Sequence, residues 1–246
     1  MSTSGRRNIL FGILTLQTVV APVVLSLAGC GNVLPLPPYH YPTASNMPPV
    51  VDEPMPSLLD RFETVLAEKA PSVAAALQPG LSEAEIAKLE AEYNVQLPED
   101  LRLLYQWHNG IPWNSGPTIT PLHEFYPLEH ALKKRAELAR QMEASGDSMT
   151  RMLEPTLSWI PIFQDAAGDG YYYDPKRVAE QGAIFDNFME TADYTFFPSI
   201  KNVIAGFVEC YEKEHYFIGT DGRVDGDFEA AGKVWTKYGS SGQMAY

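Results

Sequence analysis

Asp165, Asp169 and Asp174 surround a glycine turn, and carboxylate oxygens grouped in this way can hold a hard cation such as calcium. The run lacks the alternating ligands and closing bidentate glutamate of an EF-hand, however, and Asp-Gly is ordinary turn chemistry. A turn is therefore the expected role here, as it is for Asp221-Gly222 and Asp225-Gly226-Asp227. The five histidines, His40, His108, His123, His130 and His215, show neither zinc-protease nor zinc-finger spacing, so no metal is expected. The chain has no Gly-x-Ser-x-Gly elbow, no suitable cysteine nucleophile and no phosphate-cradling glycine loop. No catalytic residue and no cofactor are expected on these grounds. A pair of carboxylates flanking a glycosidic bond would still suffice for hydrolysis, and 31 Asp and Glu leave that reading open.

Binding without catalysis needs different residues. Trp107, Trp113 and the run Tyr171-Tyr172-Tyr173 could concentrate interface energy, because aromatic side chains dominate binding hot spots. About half of these should be core. Strand alternation places Tyr171 and Tyr173 on one face and Tyr172 on the other. The partner-binding set taken from the sequence is Trp113, in the loop from Gly110 to Thr120, with Tyr172, Asp165 and Asp169.

The thiol of Cys30 offers a covalent chemistry. Arg6 and Arg7 precede an apolar stretch from about Ile9 to Leu27, and Leu27-Ala28-Gly29-Cys30 closes it with small residues. This is the grammar of an export signal. The last four residues resemble the bacterial lipobox, whose cysteine is acylated and becomes the mature N-terminus. The lipidation site is thus Cys30, residues 1–29 are the signal peptide, and the protein is expected in the cell envelope, outside the cytoplasm. An uncleaved membrane anchor would give the same location, since the stretch is nearly long enough to span a bilayer. Ser4-Gly5-Arg6-Arg7 also loosely resembles a twin-arginine signal. Several acyl chains on one cysteine anchor durably where a single chain does not. Cys210 is then left without a partner and reads as a buried small hydrophobe in a helix with Val203, Phe207 and Tyr211.

Eight prolines between Gly31 and Pro56 mark residues 30–56 as an extended tether, with the folded part expected from Ser57 to the end. The whole chain carries a formal charge of −13, and loss of the two signal arginines makes the remainder two units more acidic. Such a protein repels nucleic acid and anionic headgroups, so nucleic acid is not an expected partner and a basic protein is a suitable one. Solubility alone also explains the charge.

Within the domain, Leu58, Phe62, Val65 and Leu66 recur at helical spacing up to Ala70-Pro71. Ser82 with Glu85 forms a capping box for a second helix carrying Ile86, Leu89 and Tyr93. Pro98 opens a third helix, which His108 closes before Asn109-Gly110, and a fourth covers about Leu128 to Glu143. Strands are predicted at Trp159–Phe163, Tyr171–Tyr173, Ala183–Asp186 and Tyr216–Ile218, and a long helix opens at Phe197-Pro198-Ser199. A short terminal element starts at Val234-Trp235. Helices first, then strands closed by a helix, is the order of an α+β domain and not of alternating βαβ units.

Three blocks in this order resemble the SUKH superfamily, the group containing Smi/Knr-like cell-wall regulators and bacterial toxin-immunity proteins. They are Gly80-Leu81-Ser82 with Glu85, Ile86 and Glu90, then Leu97-Pro98-Glu99-Asp100-Leu101 and Tyr105 to Gly110; Trp159-Ile160-Pro161-Ile162 with Asp165, Gly168-Asp169-Gly170 and Tyr171 to Asp174; and Phe197-Pro198-Ser199-Ile200. The resemblance implies a single α+β domain with a central, mostly antiparallel sheet packed by helices, and a binding role without catalysis. Bacterial relatives of this kind neutralise a cognate toxin by direct contact, and many such toxins are nucleases. Outside the cytoplasm a nuclease finds no substrate, so the toxin would act in the envelope or be caught on entry. An envelope-maintenance lipoprotein contacting peptidoglycan or wall enzymes is the alternative, and an envelope hydrolase the third reading.

Overall fold

The computed structural model describes residues 46–113, 116–145, 158–175, 183–187 and 193–243. Cys30, the signal segment and the first part of the tether lie outside them. All described residues fall within one compact unit, Leu36–Tyr246.

Four helices come first. α1 (Met55–Lys69) buries Leu58, Leu59, Phe62, Val65 and Leu66, the stripe read from spacing. It starts two residues before Ser57, because Pro54 caps it and Met55 is already buried. The segment before α1 also departs from the expected tether. Asn202 donates to the carbonyl of Pro49 at 3.0 Å and accepts from the Val51 N–H at 3.3 Å, so these residues are bonded to the domain. After Ala70, the chain makes an unforeseen six-residue helix, α2 (Pro71–Ala76), started by Pro71 in its first turn.

α3 (Glu83–Glu92) carries the full capping box: the Ser82 hydroxyl accepts from the Glu85 N–H, and the Glu85 carboxylate accepts from the Ser82 N–H at 2.7 Å. α4 (Glu99–Trp107) uses Pro98 as its cap, one position before the predicted first turn, and His108 ends it. The motif residue Asn109 then reaches forward: its side-chain oxygen accepts from the N–H of Leu128 at 2.9 Å and so holds the start of the next helix. Gly110 sits at φ +70°, where a Cβ would lie 2.6 Å from the carbonyl oxygen of Phe125, so only glycine fits this crossing.

The sheet is six-stranded and antiparallel in every described pairing, in the order β1 (Glu124–Phe125), β2 (Ile160–Gln164), β3 (Gly170–Tyr173), β4 (Ile184–Asn187), β5 (Asp193–Phe197) and β8 (Ser240–Gln243). β6 (Tyr216–Ile218) and β7 (Val224–Gly226) form a separate hairpin. β1, β5, β7 and β8 were not expected; two are two- or three-residue pairings too short to carry a period. Pro161 is tolerated inside β2 because the register slips between Pro161 and Phe163, the bulge relieving the missing N–H.

α5 (Leu128–Ser145) lies between β1 and β2 in the chain, and α6 (Ile200–Glu212) packs its apolar residues between the sheet and α1. The element predicted to start at Val234-Trp235 is a full helix, α7 (Phe228–Tyr238), capped by Asp227, with both residues in its second half and β8 after it. Trp235 lies on α6 where Gly206 leaves room; a Cβ there would be 2.3 Å from the indole. Cys210 is fully buried on α6 with a free thiol, and burial pushes its pKa up to about 12.

The two sheet faces divide the tyrosine run as period-2 geometry requires. Tyr171 and Tyr173 enter the main core with Phe163, Phe197 and Phe207. Tyr172 faces the other way, against an aromatic cluster of Trp159, Phe185, Tyr194 and Phe196. The result is an α+β fold whose helices pack a central antiparallel sheet.

Candidate functional site

The predicted binding residues converge along the edge where α5 meets β1, β2 and the β2–β3 turn. Trp113 follows α4 in a loop and is 55% exposed, among the most exposed of the large apolar residues described. It is nevertheless held in place. The imidazole of His130 lies parallel beneath it, with ring centroids 5.1 Å apart and planes 21° apart. His130 in turn stands edge-on to Tyr126 at 5.0 Å. Burial, then Lys134 and Lys133 nearby, lowers the His130 pKa below its ordinary value and so favours the uncharged ring under Trp113.

One turn along α5, the ammonium of Lys134 lies 5.2 Å from the centre of the Tyr126 ring and donates to the side-chain oxygen of Gln164. Crowding by these groups removes water from the ammonium and lowers its pKa, against the pull of Asp165 and Glu124. Gln164 ends β2 almost fully buried. Its amide donates to the Gly168 carbonyl at 2.9 Å and to the Tyr172 hydroxyl, which itself donates to Gly168 at 2.5 Å. The Tyr172 hydroxyl is therefore consumed in holding the turn. Burial raises its pKa well above the usual phenol value.

Asp165 and Asp169 sit in that turn. One oxygen of the Asp165 carboxylate accepts the backbone N–H groups of Ala167, Gly168 and Asp169 at 2.8, 2.8 and 2.9 Å. The Asp165 N–H donates to the Asp169 carbonyl at 2.9 Å. This is the turn chemistry expected of Asp-Gly, and no group of three metal-ligating side chains occurs among the described residues.

The structure thus brings Trp113, Tyr172 and Asp165 onto one continuous set of contacts and assigns them different tasks. Trp113 offers a ring face to solvent, whereas Tyr172 and Asp165 shape the adjoining turn. Tyr126, His130, Lys134 and Gln164 make the contacts that join them, Tyr126 and Gln164 from buried positions, and were missed. The i,i+4 spacing of His130 and Lys134 on one helix face was the available signal; nothing local marks Gln164, whose role depends on the turn four residues later. Trp107, by contrast, stacks on Phe62 at 5.5 Å, joining the core. The edge itself offers an aromatic face, the Lys134 ammonium and nearby carboxylates.

No curated protein matches the chain. The family model for SMI1 / KNR4 (SUKH-1) matches residues 80–209, from the glycine before α3 to the last turn of α6. That span covers more than half of the sequence and every block of motifs that positions the surface, and the chain belongs to the SMI1 / KNR4 family (SUKH-1), whose domains are generally non-catalytic, immunity-type modules.

Proposed function

We propose that this chain is a non-catalytic protein-binding domain held at a membrane by lipid on Cys30, and that it acts as an immunity protein that neutralises a toxin by covering part of its surface. One observation carries the reading: Trp113 is exposed yet already seated on His130, so a large ring face is offered with little ordering left to do on binding. The family supports a protein partner of immunity type. The formal charge of −13 favours a basic one.

The test is recovery of the partner by the full-length tagged protein from solubilised membranes mixed with the secreted fraction of competitor cells. Stoichiometric capture of a toxin fragment, lost in Trp113→Ala, supports the reading. Capture of peptidoglycan or wall enzymes alone would overturn it in favour of envelope maintenance. Turnover of wall polymer that disappears on mutating one carboxylate pair would overturn it in favour of a hydrolase. The tether is tested separately: Cys30→Ser should move the protein from the membrane to the soluble fraction, and unchanged membrane association removes lipid from the account.

A further inference from the structure

A cavity of about 220 Å³ lies away from the Trp113 contacts, between the core face of the sheet and α7. Tyr171, Thr195 and Phe197 form its sheet wall, Trp235 and Gly232 its helical wall, and the turn from Thr120 to His123 closes one end. Two large apolar side chains on its lining, Leu122 and Phe228, are 44% and 58% exposed. The cavity is partly open to solvent at these residues, so an apolar ligand entering it would displace water from an aromatic lining.

Two buried polar side chains line it, His123 at 5% and Asp186 at 8% exposure. The Thr120 hydroxyl already accepts the N–H groups of Leu122 and His123, at 3.3 and 3.0 Å, so its own proton points to Nδ1 of His123, 3.0 Å away. Nδ1 is then an acceptor, which puts the ring proton on Nε2. Among the described residues Nε2 has no hydrogen-bond partner and is a buried donor left unpaired. Burial lowers the His123 pKa to about 4, with Asp165 pulling weakly the other way, so the ring is neutral at pH 7. The lining has no Lys or Arg and includes the carboxyl of Asp186, which disfavours an anion. An engineered apolar cavity of roughly 150 Å³ takes benzene, so this one accommodates a substituted ring.

We propose that the cavity is a binding site for a small neutral aromatic compound carrying a hydrogen-bond-accepting oxygen, which meets His123 Nε2. The same chemistry, a ring with an oxygen at its end, is found in a free metabolite and in a tyrosine side chain offered by a partner. This site does not depend on the toxin-binding reading.

The test uses the full-length protein titrated with acetophenone and with α-methylstyrene, which has the same shape but a CH2 in place of the carbonyl oxygen. Binding is followed by the His123 side-chain nitrogen resonances and by tryptophan fluorescence, because Trp235 lines the cavity. Acetophenone is expected to shift Nε2, and the affinity ratio of acetophenone to α-methylstyrene is expected to fall about tenfold in His123→Phe, which keeps a ring but lacks the donor. Gly232→Leu, placed where a Cβ meets nothing within 4 Å, should abolish binding of both while leaving the fold intact by circular dichroism. Competition by N-acetyl-tyrosinamide would assign the ring to a partner's side chain, and its failure to compete would assign it to a free compound. Failure of acetophenone to bind at millimolar concentration, or an unchanged ratio in His123→Phe, would overturn the proposal and leave the cavity to water.

Discussion

The indole of Trp113 and the imidazole of His130 lie stacked, 5.1 Å apart and 21° from parallel, so a loop residue that faces solvent is fixed by a helix residue beneath it. Trp113→Ala should therefore weaken binding of the captured partner about 30-fold or more, the usual consequence of removing an interface tryptophan. Phe217→Ala, a 40% exposed residue on the β6–β7 hairpin, should change it little. Calorimetric titration of both variants checks the pair. Equal losses would mean that Trp113 is not the anchor.

His123 predicts a pH dependence of stability. Its folded pKa, about 4, lies below the ordinary value of 6.5 because burial penalises the charged ring. Between these values the unfolded chain binds more protons than the native one, so stability rises with pH across that window. The contribution is present above pH 6.5 and is lost as pH falls toward 4, to a total of roughly 3 kcal/mol. Urea denaturation of the wild type and of His123→Phe at pH 7 and pH 4.5 should show a smaller fall in the variant.

Asn202 ties the N-terminal approach to the core. It is 1% exposed, accepts from Val51 and from the Ser199 hydroxyl at 3.1 Å, and donates to the carbonyls of Pro49 and Tyr238 at 3.0 and 3.2 Å. Asn202→Ala removes these bonds and leaves the buried Tyr238 carbonyl without this donor, at a cost of about 2–3 kcal/mol. Hydrogen exchange should quicken at Val51 and in α1 before it quickens in the sheet. Uniform acceleration would show that the contact does not hold the segment.

Two helical glycines should respond in opposite directions. At Gly206 on α6 a Cβ would lie 2.3 Å from Trp235, so Gly206→Ala forces α7 away and should destabilise by about 1–3 kcal/mol. At Gly232 on α7 a Cβ meets nothing within 4 Å, so Gly232→Ala should stabilise by about 0.5–1 kcal/mol through helix propensity alone. Thermal denaturation distinguishes the two signs directly.

What the sequence determined by itself was whatever depends on near neighbours in the chain. The Ser82–Glu85 capping box, the apolar stripe of α1, the helix end at His108 and the opposite facing of Tyr171 and Tyr172 are set by spacings of two to four residues, and each is present as read. The blocks that resembled the SUKH superfamily fall on these same local devices, which is why family and fold class were legible early. Only the tertiary structure decided the rest. β1 and β8 exist because partner strands supply hydrogen bonds that two to four residues could never advertise alone. Segment 49–54 belongs to the domain because Asn202, 153 residues from Pro49, binds it. The surface at Trp113 arises because His130, Lys134, Gln164 and Tyr172, spread over several elements, meet at one edge, and contacts at such separations leave no period or spacing in the chain.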